Sequence, residues 1–565
     1  MVPRSLLLLS LVLPACNRKG DVADTGSVDA QGATEPLVFD LTAPASGAFV
    51  GSDSVTVEGT LSGPASATAT VNGADVGAAG DFSVTTSHGE VVWPDSPLWP
   101  ILGDARDGGE QWLRDRVTLI QGDAAPADEA IADGISFRLT DHLLAAAEGA
   151  VTGLLDLESL LSTKDPLTEV LGIKVYVNSF SYADIVPTLD FTPAGLSYAV
   201  RIEDLELVLF LDAGILGEYD TTLSARAVTI SGEMVFGTDG AGGLTAEPAN
   251  TAVSTEDLEL FGFTDSFGIV DALLGETIAA EVEGALVDAI GGLLEFQDAL
   301  RSLEFSGVLI SNSFTRAVHD ADGVTVFADS TLALEGGGSL GDRLTTDVGW
   351  SAPTGKATPT GGAYEAGLFI DDDLVSALGA ALSAAGLLEQ EVSGELGSLT
   401  LDTSLLSNLV AGFDDLPEDQ PVTIVTEATT VPVGVPGRDG TIGELHLGGM
   451  NLDFVTGGEA VMRVAIDAMI GLTPGQDGEL IGISLVGSQA SLLSTSLGST
   501  PEEVEPGLDS LITLAVPLLV GDLLGGALDF DLGGVGIDVV DGAGIDDRAA
   551  LFMTLDLSGL LKDGK

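Results

Sequence analysis

The segment whose residue types come closest to a catalytic motif is Gly-Gly-Ser-Leu-Gly at residues 337–341. It matches the Gly-x-Ser-x-Gly pattern, in which a nucleophilic serine occupies a tight turn between a strand and a helix. Residues 331–335 can form that strand, but residues 342–346 are not a convincing helix sequence. Because the chain contains 74 glycines, such a match arises easily by chance. We therefore expect no enzymatic activity, and a hydrolase built on Ser339 is the least favoured of three functional interpretations.

Metal ligands are also sparse. The four histidines are far apart in sequence, and none has the short spacing of a zinc site. Two acidic runs, residues 320–322 and 371–373, can offer oxygens to calcium. A calcium loop needs about six oxygen ligands, usually with a bidentate glutamate at a fixed offset, and neither run has that series. Turn chemistry and a helix start explain both runs, so we expect no metal site and no cofactor.

The only cysteine, Cys16, follows a basic start at Arg4, an apolar run over residues 6–13 and a small residue, Ala15. This order is typical of a secretory signal peptide, here residues 1–15. It resembles the bacterial lipoprotein signal, which implies that Cys16 carries diacylglycerol and a fatty acyl group such as palmitate. An ordinary signal peptide with a chance cysteine is the alternative interpretation.

Residues 16–35 are polar and nearly free of large apolar side chains, so we expect a flexible tether. Asn17, rather than an aspartate, lies beside the lipidated cysteine. By the resemblance, this favours a lipid anchor in the outer membrane of the cell envelope, with either the periplasmic or the outer face left open.

The net charge limits the partners. The chain has 87 acidic residues against 20 basic ones, a formal charge of −67, yet its mean hydropathy is +0.37. Such a charge repels nucleic acid and other polyanions, and it is tolerable in a salty habitat where ions screen it. The sequence contains no apolar stretch of about 18 or more residues, which is the length that a helix needs to cross a bilayer. Because the chain has a single cysteine, it cannot form an internal disulfide. Burial of apolar side chains must therefore stabilise the fold.

Residues 36–122 have the alternating strands and tight turns of a small β-sandwich. Residues 55–59 and 67–71 alternate, and the second run leads into the turn signal Asn72-Gly73. The segment resembles bacterial immunoglobulin-like domains through residues 43–47, 71–73, 81–83 and 115–120. That resemblance implies a spacer or contact module.

Helical stripes and strands then alternate twice. A first helix is predicted over residues 139–161, with Thr140 as its cap, and a second over 266–303. In the second half, a helix starts at Asp373 and a closing helix spans 506–524. Strands are predicted after the first helix at 174–180, 195–210, 219–234 and 258–263, between the halves at 306–312 and 323–334, and in the second half at 395–402, 422–429, 443–455, 460–472, 481–486, 536–539 and 549–557.

Four segments of the second half, in this order, resemble bactericidal/permeability-increasing protein-like members of the tubular lipid-binding superfamily: residues 367–374, 385–388, 515–520 and 529–532. The resemblance implies an α+β fold with two barrels, each a curved antiparallel sheet wrapped on a long helix, and a central sheet that joins them. The first barrel would span residues 135–305, the central connection 306–350, and the second barrel with its return to the central sheet 362–565.

The chain departs from that family in two respects. It cannot form the disulfide common in the first barrel, and it has too few basic residues for the family's endotoxin-binding tip.

The resemblance also implies an apolar channel between helix and sheet that binds acyl lipids or other hydrophobic ligands. A non-enzymatic structural or adhesive surface lipoprotein is the alternative. Candidate channel walls are the apolar residues on the helical stripes of the two halves: Leu143, Leu154, Leu274, Ile278, Val282, Leu286, Leu374, Leu378 and Leu382.

If Cys16 carries the anchor, Cys16→Ser should move the protein from the membrane fraction to the soluble fraction. The variant should also lose incorporation of radiolabelled fatty acid, because serine has no thiol to alkylate. A variant that remains in the membrane fraction would show that the anchor lies elsewhere.

Overall fold

The computed structural model describes most of the chain after residue 35. Cys16, the expected signal peptide and the expected tether lie outside the described residues. The described ranges are residues 36–88, 96–108, 111–155, 157–162, 165–214, 217–261, 268–294, 296–346, 350–351, 353–396, 399–438, 440–475, 481–524 and 536–556.

A β-sandwich forms the first part of the fold. Its two sheets, ordered β1-β3-β6 and β2-β8-β7-β4-β5, enclose one apolar core that includes Phe39, Val57, Trp99 and Leu119. Its strands are β1 (Val38–Ala43), β2 (Phe49–Val50), β3 (Ser54–Ser62), β4 (Thr68–Val71), β5 (Ala74–Asp75), β6 (Gly80–Ser87), β7 (Leu98–Arg106) and β8 (Trp112–Gln121).

The next segment contains the first large sheet and its helices. Its elements are β9 (Asp123–Pro126), β10 (Ile131–Thr140), α1 (Leu144–Leu154), α2 (Leu157–Leu161), β11 (Thr168–Val170), β12 (Ile173–Ser181), β13 (Asp184–Thr192), β14 (Gly195–Asp212), β15 (Glu218–Thr238), β16 (Leu244–Glu256), β17 (Glu259–Phe261), a π-helical segment at Asp271–Ile278, α3 (Ala279–Leu294) and α4 (Phe296–Arg301).

The last segment contains the second large sheet and its helices. Its elements are β18 (Ser302–Phe305), β19 (Val308–His319), β20 (Gly323–Leu334), β21 (Asp342–Thr345), β22 (Ala366–Asp371), α5 (Asp372–Ala384), β23 (Glu391–Ser393), β24 (Glu395–Leu396), β25 (Leu399–Thr400), α6 (Thr403–Ser407), β26 (Val422–Ala428), β27 (Val433–Pro436), β28 (Gly443–Thr456), β29 (Glu459–Pro474), β30 (Ile481–Thr495), α7 (Pro501–Leu524), β31 (Gly536–Ile545) and β32 (Arg548–Asp556).

The described chain is mostly β, and its two large sheets are curved half-barrels, which confirms the expectation of two curved sheets. The first sheet has the order β11-β12-β14-β15-β16, and the second has the order β23-β26-β28-β29-β30. A seven-stranded sheet, β18-β19-β20-β10-β22-β32-β31, gathers strands from distant parts of the sequence. We call it the central sheet.

Each curved sheet is covered by helices. In the first half, α1 packs on β13 and on α3, and α3 packs on β16. In the second half, α7 packs on β30, whereas α5 packs on β27 and on β21. None of the described helices combines the length and the apolarity that crossing a membrane requires.

The first helix begins later than the sequence predicted. Thr140 does not cap it, because Thr140 is the last residue of β10 and its hydroxyl donates to the Tyr364 carbonyl over 2.5 Å. One 3-10 turn follows, α1 begins at Leu144, and the helix breaks at Leu155 before α2. Leu139 has helical spacing to Leu143, but the paired strands on both sides of β10 determine its structure.

The other helix boundaries also shift. The predicted start of the second helix, Ser266, lies outside the described residues, and Ser302 and Leu303 belong to β18. The second-half helix begins at Asp372, one residue earlier than predicted, because Asp371 is its N-cap. Where the sequence predicts one strand at 395–402, the structure has two strands of two residues each, β24 and β25, which pair with one another. The sequence does not predict β13 and β16.

The sandwich docks onto the second curved sheet at a bulge in β28. Gly448 and Gly449 interrupt the pairing of β28 with β29. A Cβ at Gly448 would lie 2.6 Å from Leu98, and one at Gly449, where φ is +60°, would lie 3.1 Å from the Thr118 hydroxyl. Only glycine therefore allows the sandwich to approach this closely.

Buried polar contacts fix the docked position. Asp467 forms an ion pair with Arg116 of the sandwich, and the two side chains are 2% and 4% exposed. Asp467 also accepts a hydrogen bond from the Gly449 amide over 3.0 Å. A charge pair this deeply buried loses much free energy if one partner is removed, because the other charge remains without water.

Asp467→Asn should therefore lower the free energy of unfolding by about 3–5 kcal/mol. The matched control is Asp453→Asn on the neighbouring strand β28. Asp453 forms an ion pair with Arg463 that is partly exposed. That control should cost no more than about 1 kcal/mol. Chemical denaturation followed by circular dichroism measures both, and equal effects of the two variants would contradict the assignment.

Candidate functional site

An apolar cavity lies where the central sheet, α5 and the second curved sheet meet. The space that the centre of a water-sized molecule can reach inside it is about 70 Å³, so the cavity is narrow. Every lining residue is apolar. The walls are formed by Ile135, Leu303, Ile310, Ile370 and Ala549 of the central sheet, Leu374, Val375, Leu378, Gly379 and Leu382 of α5, and Leu445, Leu472 and Ile481 of the second curved sheet.

The central sheet supplies one wall as two transverse rows. Ile135 pairs with Ile370, and Ile370 pairs with Ala549, so three strands place side chains directly opposite one another. Leu303 and Ile310 form a second cross-strand pair. Cross-strand neighbours project from the same face of a sheet, which explains how residues far apart in sequence form one continuous apolar wall.

Helix α5 supplies the opposite wall. The Asp371 carboxylate caps its start by accepting the Asp373 amide over 2.9 Å, and Leu374, Leu378 and Leu382 recur every four residues on one face. Gly379 allows α5 to pack closely against the segment just before β27, because a Cβ at this position would lie 2.5 Å from the Pro432 carbonyl oxygen. The helix is thus held at a fixed distance from the second sheet.

The cavity lies at the seam between two hydrophobic cores. Leu374 and Leu472 belong to the core that the first half shares with the central sheet, whereas Leu382 and Leu445 belong to the core of the second half. Leu378 packs against both and is only partly buried. The cavity is the apolar space beside Leu378 that neither core fills.

The structure places the predicted wall residues in two different environments. Leu374, Leu378 and Leu382 line the cavity. Leu143, Leu274, Ile278, Val282 and Leu286 are at most 2% exposed in the core of the first half, and Leu154 packs at its edge. The structure does not bring the first-half residues to the cavity.

The sequence analysis missed the walls that face α5. Ile135, Ile370 and Leu472 lie in strands that are buried at most positions, so no local pattern indicates which of their residues face α5. Ile135 was assigned to the start of the first barrel, whereas β10 lies in the middle of the central sheet.

The candidate nucleophile has no catalytic surroundings among the described residues. Ser339 is exposed, and the residues after it form β21 rather than a helix. A working nucleophile elbow places the serine directly before a helix. The structure therefore gives Ser339 a place in a surface connection.

His446 is buried in a polar network between the sandwich and the second curved sheet. Its Nδ1 lies 2.8 Å from the Ser96 hydroxyl, and its Nε2 lies 2.9 Å from Glu444. Burial raises the pKa of Glu444, but hydrogen bonds from His446 and Arg438 outweigh this and lower that pKa to about 2. Ser96, His446 and Glu444 are 3%, 0% and 1% exposed, so the network joins two parts of the fold rather than presenting a nucleophile.

Comparisons with known proteins gave no family model and no curated protein that matches the chain. Among solved structures, it is similar to a lipopolysaccharide binding protein at 15% identity and a TM-score of 0.38, over 75% of this chain and 99% of that one. It is also similar to P47 of Clostridium botulinum E1 (9% identity, TM-score 0.23, 75% and 100% covered) and to latherin (18%, 0.14, 26% and 71%). At these TM-scores, the similarity carries no conclusion about function.

Proposed function

We propose that the protein binds acyl lipids or other hydrophobic ligands in the cavity between α5 and the central sheet, without chemical change to the ligand. The observation that carries the proposal is a narrow cavity whose thirteen lining residues are all apolar. Binding sites for small molecules are lined mainly by apolar side chains.

The energetics favour a chain-like ligand. Burial of a methylene group contributes about 0.8 kcal/mol, so about a dozen groups supply roughly 10 kcal/mol before the cost of immobilising the ligand. A narrow cleft suits an unbranched chain, because every methylene can touch a wall.

The polar end of the ligand should matter less. None of the lining residues offers a charge or a hydrogen-bond donor from its side chain. Discrimination between headgroups should therefore be weak, and the net charge of −67 disfavours strongly anionic ones.

The proposed location is the outer membrane, with Cys16 as the site of the anchor. The order of residues around Cys16 supports this location, and the polar segment after it suits a tether. A protein held near a bilayer meets lipids at high local concentration, which makes transfer of hydrophobic ligands the proposed role.

Leu378→Trp tests the cavity. The indole should fill the space between the cores and weaken binding of a fluorescent fatty acid by at least about tenfold, which corresponds to about 1.4 kcal/mol. The matched control, Val486→Trp, adds the same ring at an exposed position of β30 outside the cavity and should bind as the parent does. Both variants are made in the Cys16→Ser protein, so that native mass spectrometry detects bound lipid without covalent lipid.

Two results would favour the structural or adhesive alternative. One is that no lipid copurifies from lipid-containing cells and that fluorescent fatty acids and phospholipids fail to bind. The other is that neither the parent nor Val486→Trp binds more lipid than Leu378→Trp does, with no binding above background in any of the three and with melting temperatures near that of the parent.

A further inference from the structure

Three buried carboxylates meet at the point where α5 leaves the central sheet. Asp371 ends β22, Asp372 begins α5, and Asp547 lies in the turn between β31 and β32. One carboxylate oxygen from each lies within 4.8 Å of the other two, and the residues are 7%, 4% and 4% exposed. The Asp372 amide donates to the Asp547 carbonyl over 3.0 Å, so the backbone itself holds the three together.

Charges around this cluster do not balance. Asp373 is also buried and extends the cluster to four carboxylates. Arg343 pairs with Asp373 and Arg548 pairs with Asp371, each at 2.6 Å. Arg548 also lies 3.7 Å from Asp547, so two guanidinium groups face four carboxylates and the cluster holds two more acidic groups than basic ones. Burying charge without compensation is costly, so a group of charge +2 suits the site.

One carboxylate oxygen of the cluster residues accepts no hydrogen bond from the described residues. Asp547 Oδ1 accepts no hydrogen bond from any described residue, although Asp547 is only 4% exposed. Its ion-pair partner, Arg548 Nε, is 3.7 Å away, which is too long for a hydrogen bond. By contrast, Asp371 accepts from Asp373 and Arg548, and Asp372 accepts from the Thr346 hydroxyl. A buried, unpartnered carboxylate oxygen indicates a missing ligand.

We infer that Asp371, Asp372 and Asp547 bind a hard divalent cation, and that the cation is calcium. All the donors are oxygens, which suits a hard cation. Calcium binds six to eight oxygens at about 2.3–2.6 Å in variable geometry, so it tolerates a cluster whose oxygens lie up to 4.8 Å apart. Magnesium, with bonds of about 2.0–2.1 Å and strict octahedral geometry, fits less well. The ion locks the first turn of α5 to the turn between β31 and β32.

Calcium titration of the full chain after treatment with a chelator tests the site. The titration is done at about pH 8, in a high-salt buffer that screens exposed carboxylates. One calcium per chain should bind with a dissociation constant on the order of 10 µM, and magnesium should bind at least about tenfold more weakly. The melting temperature should rise with calcium.

Asp547→Asn should weaken calcium binding at least about tenfold, because it removes the charge of the unpartnered carboxylate. The matched control is Asp546→Asn, in the same turn, which is exposed and has a φ of +54° that asparagine also adopts readily. That control should bind calcium as the parent does. Equal binding by the two variants, or no saturable binding by the parent, would overturn the inference.

A second measurement covers the case in which Asp547→Asn does not fold. The Trp350 ring lies 4.2 Å from the guanidinium carbon of Arg548, next to the cluster, so it should sensitise luminescence of terbium bound in place of calcium. Trp350→Phe should lose that luminescence while retaining one bound calcium. Terbium luminescence that survives this substitution would place the ion elsewhere and overturn the inference.

Discussion

The packing of α5 between two hydrophobic cores is the contact on which the rest of the structure depends. With one cysteine in the chain and a charge of −67, cohesion must come from apolar burial against a self-repelling surface. Leu374 joins the core of the first half and Leu382 joins that of the second, so a single short helix connects both. The same position keeps the cavity open, because Leu378 contacts both cores and fills neither.

The sandwich is tied to the second half by a different kind of contact. Its attachment uses a bulge of two glycines, where any side chain would clash with Leu98 or Thr118, and buried polar pairs beside it. A small apolar cluster of Leu98, Ile120, Leu344 and Val433 also joins the two parts, and hydrogen bonds and one buried ion pair set the position of the sandwich. Such directional contacts fix a register that apolar packing alone leaves loose.

The sequence predicted the positions of individual strands and helices better than it predicted which elements pair or pack with one another. Alternation located long strands such as β14 and β15 almost to their ends, and the acidic run at residues 371–373 correctly indicated a helix start. Spacing alone misassigned Thr140, because a residue at the end of a buried strand and a residue in a first helical turn can carry the same pattern. The cavity wall was predictable only on α5, where its residues are adjacent in sequence. The facing wall depends on pairing among strands β10, β22 and β32, which no local pattern encodes.

The pairing of the central sheet also has a kinetic consequence. Ile135 pairs with Ile370, and Ile370 pairs in turn with Ala549, so adjacent strands are separated by very long stretches of chain. Closing such loops costs entropy before any contact repays it, and folds rich in distant contacts form slowly. A ribosome must finish nearly the entire chain before β32 can add to the edge of β22. The sandwich and the first curved sheet can form during synthesis, whereas the central sheet is completed last, and until then the apolar faces of β10 and β22 depend on the cell for protection from aggregation.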